Sequence, residues 1–224
     1  MSEENPVMSE VITNDVITSE AITKAPNFSP PLRFDSEEAF ETWCDEDIRA
    51  EYLNGEVIMH CPAGTVHEKS IHWLSTLVEL FIARDELGEL FGSNTQMRLA
   101  IGRRRLPDLA FVAKERLDMV YPTYIDGAPD LVIEFVSEDS ETRDWQEKFR
   151  EYEAAGVEEY WVIDQMLKRM NFYVLDEDQK YVSLRAVDGK LFSKVLPGFW
   201  LKPEWFWQQP LPNVAAIARE MGIL

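Results

Sequence analysis

An α/β or α+β sheet protein is predicted by three features of the sequence. Short strand-type runs and longer helix-type runs are interleaved along the chain, the pattern of a sheet covered by helices. Asn54-Gly55 separates two strand-type runs within Glu51–Met59, the strongest short-range hairpin signal. The run Asp130–Val136 is largely apolar on both faces, as a central strand must be.

In chain order, residues 1–29 carry a five-residue repeat, Val11-Ile12-Thr13, Val16-Ile17-Thr18, Ala21-Ile22-Thr23, with prolines on either side. A period of five fits neither helix nor strand, so this segment is expected to be a flexible acidic tail ahead of a domain over residues 30–224. Asp35 with Glu38 has the spacing of a capping box, and Phe40 and Trp43 give the apolar stripe of a helix to about Ile48. The hairpin follows, then a long amphipathic helix over 66–84 whose apolar face is Ile71, Leu74, Leu77, Val78, Phe81 and Ile82. Residues 88–101 read as strands, Ile101–Arg105 as a basic turn, Leu106–Val112 as a strand and 113–129 as an irregular connection. After strand 130–136 comes a helix from about Glu141 to Ala155, stopped by Gly156. Strands at 159–164, 169–175 and 180–186 and a terminal helix at 214–221 complete the chain.

Composition narrows the function. The 224 residues carry 22 basic and 41 acidic side chains, a net charge of −19, and are 46% hydrophobic. Twelve acidic and three basic residues fall in the first 50. Such a surface repels a polyanion, so non-specific nucleic-acid binding by the whole surface is not expected. Cys44 and Cys61 make no disulfide framework. No apolar run approaches the roughly 18–20 residues of a spanning helix, and MSEENPVMSEV lacks the features of a secretory signal. A cytoplasmic protein without a membrane partner is expected.

Two carboxylates stand out. Glu134 sits inside an apolar central strand, where an unpaired charge costs several kcal/mol, and Asp108 follows Pro107 at the start of another. On adjacent strands they would form a hard-oxygen site of the kind that holds Mg2+ or Mn2+. In the next helix Trp145, Phe149 and Tyr152 mark a buried stripe, and Lys148 lies about 60° from its centre, within inward reach. The Asp144–Lys148 spacing equally suits an ordinary i, i+4 surface pair.

These pieces occur in a recognisable order. Glu51-Tyr-Leu-Asn-Gly55, Met59-His-Cys-Pro62 with His67 beyond, Pro107-Asp108, Ala128-Pro129-Asp130-Leu-Val-Ile-Glu134, Asp144…Lys148…Tyr152 and Gly156-Val157-Glu-Glu-Tyr160-Trp161 together resemble the Uma-type restriction-endonuclease family of the PD-(D/E)XK nuclease superfamily. The resemblance spans about residues 35–207. It implies a restriction-endonuclease-like core, a central mixed β-sheet flanked by helices, with catalytic groups on a strand pair and a neighbouring helix. It also implies a Mg2+- or Mn2+-dependent endodeoxyribonuclease acting on DNA.

Residue by residue, Asp108 matches the aspartate of the PD half and Glu134 the (D/E) position, both as metal ligands. The family lysine would stand at 136, which is Val136 here; Lys148 supplies the ammonium instead, to orient or deprotonate water or to contact phosphate. Glu51 matches an upstream glutamate, a further catalytic or metal-ligating candidate. His67 matches a histidine placed with the substrate-binding candidates.

Arg103, Arg104 and Arg105 could grip the flanking DNA backbone, although three arginines in a turn are as often a solvated loop. His67 and His72 are five apart and so do not form a zinc-protease pair, and no Walker motif occurs. Trp200, Trp205 and Trp207 are expected to pack rather than to stack bases. The rival to an enzyme is a catalytically silent binding module of nuclease fold, motivated by the −19 charge and by Val136. A C2 homodimer would suit cutting both strands.

Overall fold

The structure, a computed structural model, describes residues 32–45, 48–60, 64–137 and 143–224. The expected tail over 1–29 lies outside them. Helix α1 is Glu37–Trp43, and its N-cap is Ser36, whose side chain accepts from the Ala39 amide at 3.2 Å. The cap is thus one residue later than the Asp35–Glu38 spacing suggests, because a serine hydroxyl serves the orphan amide equally well.

Strands β1 (Ala50–Leu53) and β2 (Glu56–Met59) form the hairpin, with Asn54 and Gly55 both at positive φ, as a tight two-residue turn requires. Helix α2 (Thr65–Asp85) buries the apolar face read from its periodicity. Strands β3 (Gly88–Gly92), β4 (Gln96–Ala100), β5 (Arg103–Arg105) and β6 (Leu109–Ala113) follow. The expected basic turn shrinks to Ile101-Gly102, and the three arginines form β5.

The 113–129 connection is more ordered than expected. It contains a 3-10 turn at Lys114–Met119 and the short strand β7 (Tyr124–Asp126). Buried Asp130 secures it, accepting from the Ala113 amide at 2.8 Å and from Arg116 at 2.7 Å.

Strand β8 (Leu131–Phe135) is fully buried. A wide π-helical stretch, Arg143–Lys148, leads into α3 (Phe149–Ala155), which ends at Gly156 in the left-handed conformation. Strands β9 (Glu159–Asp164), β10 (Arg169–Leu175), β11 (Tyr181–Ser183), β12 (Leu191–Phe192) and β13 (Trp200–Leu201) and helix α4 (Val214–Glu220) complete the fold.

One mixed sheet runs β2-β1-β5-β4-β7 and a second runs β11-β10-β9-β8-β6-β3. In the second, β8 and β9 are the parallel pair, joined through the Arg143–Ala155 helix, while its other pairings are antiparallel.

The two-residue period of β8 divides the interior. Leu131, Ile133 and Phe135 join the core under α2, and Val132 and Val136 join a second core with Tyr152, Tyr160 and Val162. Glu134 therefore points into the same layer as Val132. Trp200 and Trp205 are buried in the first core, as expected of packing residues.

Gly88 shows how tightly β3 meets β6. Its φ is +152°, and a Cβ there would stand 2.1 Å from the Val112 carbonyl oxygen. Gly88→Ala is expected to cost about 2–3 kcal/mol, read as a melting temperature lower by about 5–10 °C.

Candidate active site

Strands β6 and β8 pair Leu109 with Ile133, and Asp108 stands in the bend immediately before β6, at the end of β8 that carries Glu134 and Phe135. The Phe135 amide donates to Asp108 Oδ2 at 2.7 Å, which holds the aspartate against β8. Asp108 Oδ1 lies 3.4 Å from His67 Nε2, which reaches it from the first turn of α2 with its ring edge-on to Phe135. These two side chains keep some contact with solvent, at 15% and 20% exposure.

The deeper half is closed. Lys148 Nζ lies 2.8 Å from Glu134 Oε1, 3.1 Å from Asp144 Oδ1 and 3.8 Å from Glu51 Oε1. Tyr152 donates its hydroxyl to Glu134 Oε1 at 2.6 Å. Glu51, Glu134, Asp144, Lys148 and Tyr152 are all buried.

The geometry follows from spacing. Residues 144, 148 and 152 recur every four positions and so lie along one side of the helix. That side faces β8, whereas Trp145 and Phe149 are half-buried. Of the aromatic stripe that the sequence suggests, Tyr152 is fully buried and Trp145 and Phe149 pack only partly, while Asp144 and Lys148 share the inward side because Glu134 offers a group that the helix must answer.

Opposing charges set the protonation states. Burial pushes Glu134 up, helped by the Asp144 and Asp108 charges and opposed by Lys148, to about 8. Burial would neutralise Lys148, but Asp144, Glu134 and Glu51 outweigh it and hold the ammonium charged, above its ordinary range. Burial also acts against Glu51, yet Lys148, His60 and Arg105 overcome it and keep Glu51 well below the usual carboxylate range. His67 is raised: burial favours the neutral ring, but the hydrogen bond and charge of Asp108, with Glu68 and Glu134, prevail.

The arginines expected to grip DNA stand otherwise. Arg105 is fully buried, bonded to Glu51 Oε2 at 2.7 Å and to Glu151 Oε2 at 2.7 Å. Arg104 is 2% exposed; it bonds Glu37 Oε1 at 2.6 Å, pairs with Glu41 and lies over the Tyr124 ring. Both are internal, which corrects the surface reading for these two: each guanidinium answers acidic side chains brought in from other elements. Arg103 is half-exposed, with Nε 3.8 Å from Glu151.

The structure thus joins Glu134, Lys148 and Glu51 in one buried chain of contacts, joins His67 to Asp108 at its partly exposed side with Asp108 bonded to the Phe135 amide next to Glu134, and turns Arg104 and Arg105 away from solvent. Asp144 and Tyr152, which the sequence offered as an i, i+4 partner of Lys148 and as a buried aromatic but not as site residues, join them. Their four-residue register with Lys148 was the available signal.

Among the described residues no three His, Cys, Asp or Glu side chains are already gathered as a metal cage. The donor set of Asp108 and Glu134 suits instead a hard cation that takes one or two carboxylates and keeps water or phosphate oxygens for the rest, as Mg2+ does.

A mixed sheet with a carboxylate on a central strand, a second just ahead of the neighbouring strand and a lysine from the adjoining helix is a nuclease-like α/β arrangement. The sequence matches the Uma2 family, described as putative restriction endonucleases, over residues 37–204, and the chain belongs to that family. The fold is similar to that of a crystal structure of a putative nuclease belonging to DUF820 from Anabaena variabilis. The TM-score is 0.62 at 15% identity, covering 76% of this chain and 96% of that one. Among curated proteins no relative matches. No helix among the described residues is long and apolar enough to cross a membrane.

Proposed function

We propose that this chain is a Mg2+- or Mn2+-dependent endodeoxyribonuclease, with Asp108 and Glu134 as the metal ligands. The observation that supports the reading is a buried Glu134 on β8 that carries the Lys148 ammonium, with Asp108, just before β6, bonded to the next amide of the same strand, that of Phe135. A divalent cation held there would lower the pKa of its bound water and offset charge on the phosphate.

The protein's own groups do the positioning. The Lys148 ammonium orients Glu134 and balances its charge. Glu51, clamped by Arg105, holds Lys148 from behind. His67 and Asp108 form the part that keeps contact with solvent, and His67 would be the group that meets a substrate phosphate. Of Arg103, Arg104 and Arg105, Arg103 would be the one to reach a DNA backbone.

The rival, a binding module of nuclease fold without turnover, draws on the −19 charge and on the burial of Arg104 and Arg105. Calorimetric titration of Mg2+ and Mn2+ into the wild type and Glu134→Ala, followed by plasmid nicking in the same buffer, separates the two. The enzyme reading expects binding and metal-dependent nicking that the substitution abolishes together. Binding without nicking leaves the module, and absence of binding at millimolar cation removes the nuclease mechanism.

A further inference from the structure

We infer that Tyr152 is a positioning residue that fixes how Glu134 presents its carboxylate to a divalent cation, and so sets which cation the site prefers; this rests on the metal-site reading above. Glu134 Oε1 takes two donors at once, Lys148 Nζ at 2.8 Å and the Tyr152 hydroxyl at 2.6 Å. Two charge-assisted hydrogen bonds engage both lone pairs of one carboxylate oxygen, leaving Oε2 as the ligating atom.

Ligation through one oxygen suits Mg2+, which is small and strictly octahedral. Ca2+ is larger, takes six to eight oxygens and readily accepts both oxygens of a carboxylate. With Oε1 occupied, the site favours the smaller cation.

The phenol is more decisive here than the ammonium. Lys148 divides its charge among Glu134, Asp144 and Glu51. The Tyr152 ring is fully buried and fixed edge-to-face against Tyr160, with centroids 5.0 Å apart at 87°.

Tyr160 supplies a matched control. It is equally buried, but its hydroxyl donates to the main-chain carbonyl of Asp144 at 2.9 Å and not to Glu134. Loss of either hydroxyl removes a buried hydrogen bond; loss of the Tyr152 hydroxyl alone frees Oε1.

The test titrates Mg2+, Mn2+ and Ca2+ separately into wild type, Tyr152→Phe and Tyr160→Phe by calorimetry, with thermal melts confirming that each is folded. Wild type is expected to bind Mg2+ and Mn2+ in preference to Ca2+. Tyr152→Phe is expected to weaken Mg2+ about tenfold, the usual effect of losing a partner of a metal ligand, while Ca2+ holds or tightens. Tyr160→Phe is expected to melt lower with the preference unchanged. An unchanged Ca2+-to-Mg2+ ratio in Tyr152→Phe, an equal shift in Tyr160→Phe, or a wild type indifferent between the two cations overturns the role of Tyr152 and leaves the metal site standing. No binding of any cation by wild type overturns both.

Discussion

Lys148→Met is expected to cost about 3–5 kcal/mol of stability at neutral pH, because it leaves buried carboxylates without their cation. Glu51 keeps Arg105, but Glu134 and Asp144 lose the ammonium that lies 2.8 and 3.1 Å away. The methionine fills most of the lysine's volume, so packing contributes little to the loss. A melting temperature lower by about 10–15 °C is expected. Lys148 opposes the rise of Glu134, so the deficit should widen on going from pH 7 to pH 10, where the wild-type carboxyl ionises beside the ammonium and the variant's would strand its charge. Thermal melts across that range decide the matter, since a pH-independent deficit would mean that the loss is one of packing.

Glu134→Gln is expected to do the opposite to the metal-free fold while ending metal binding. The Glu134 carboxyl is raised to about 8 by burial and by the charges of Asp144 and Asp108. A folded-state value above the unfolded one means a contribution that is full below about pH 4.5 and lost as pH rises towards 8. The metal-free wild type should therefore lose stability steadily from pH 5 to pH 8, by at most about 1.4 kcal/mol per pH unit for one proton. The raised His67 adds to the slope with the same sign. Glu51, held low, weakens the fold only as pH falls below its unfolded value, outside this window. Glutamine removes the Glu134 share and leaves Lys148 with Asp144 and Glu51. At pH 8 the variant should melt several degrees above the metal-free wild type, with the shallower slope due to His67. Equal slopes in the two proteins would show that Glu134 is ionised throughout.

The strand carrying Glu134 was legible because an acidic residue in a doubly apolar run has no ordinary explanation, and the pairing with Asp108 follows from strand adjacency. The helical register of Asp144, Lys148 and Tyr152 was equally open to view, but aromatic Trp145 and Phe149 made the neighbouring stripe look like the buried one. The arginines could not be read locally. The acids that answer Arg104 and Arg105 stand 46 to 67 positions away in sequence, on α1, β1 and α3, so their burial is a property of the tertiary fold. Glu51 was found through family resemblance, and its partners emerge only when β1 and β5 lie side by side.

The chain of contacts from Arg105 through Glu51 and Lys148 to Glu134 passes from β5 and β1 of one sheet to β8 of the other. The charges of Arg105, Glu51 and Lys148 alternate, so each of these can leave its neighbours only by stranding an ion away from water. The two sheets accordingly share an electrostatic fastener as well as a hydrophobic contact. Loosening at either end is resisted at both, and the pocket that would do the chemistry doubles as the joint on which the architecture closes.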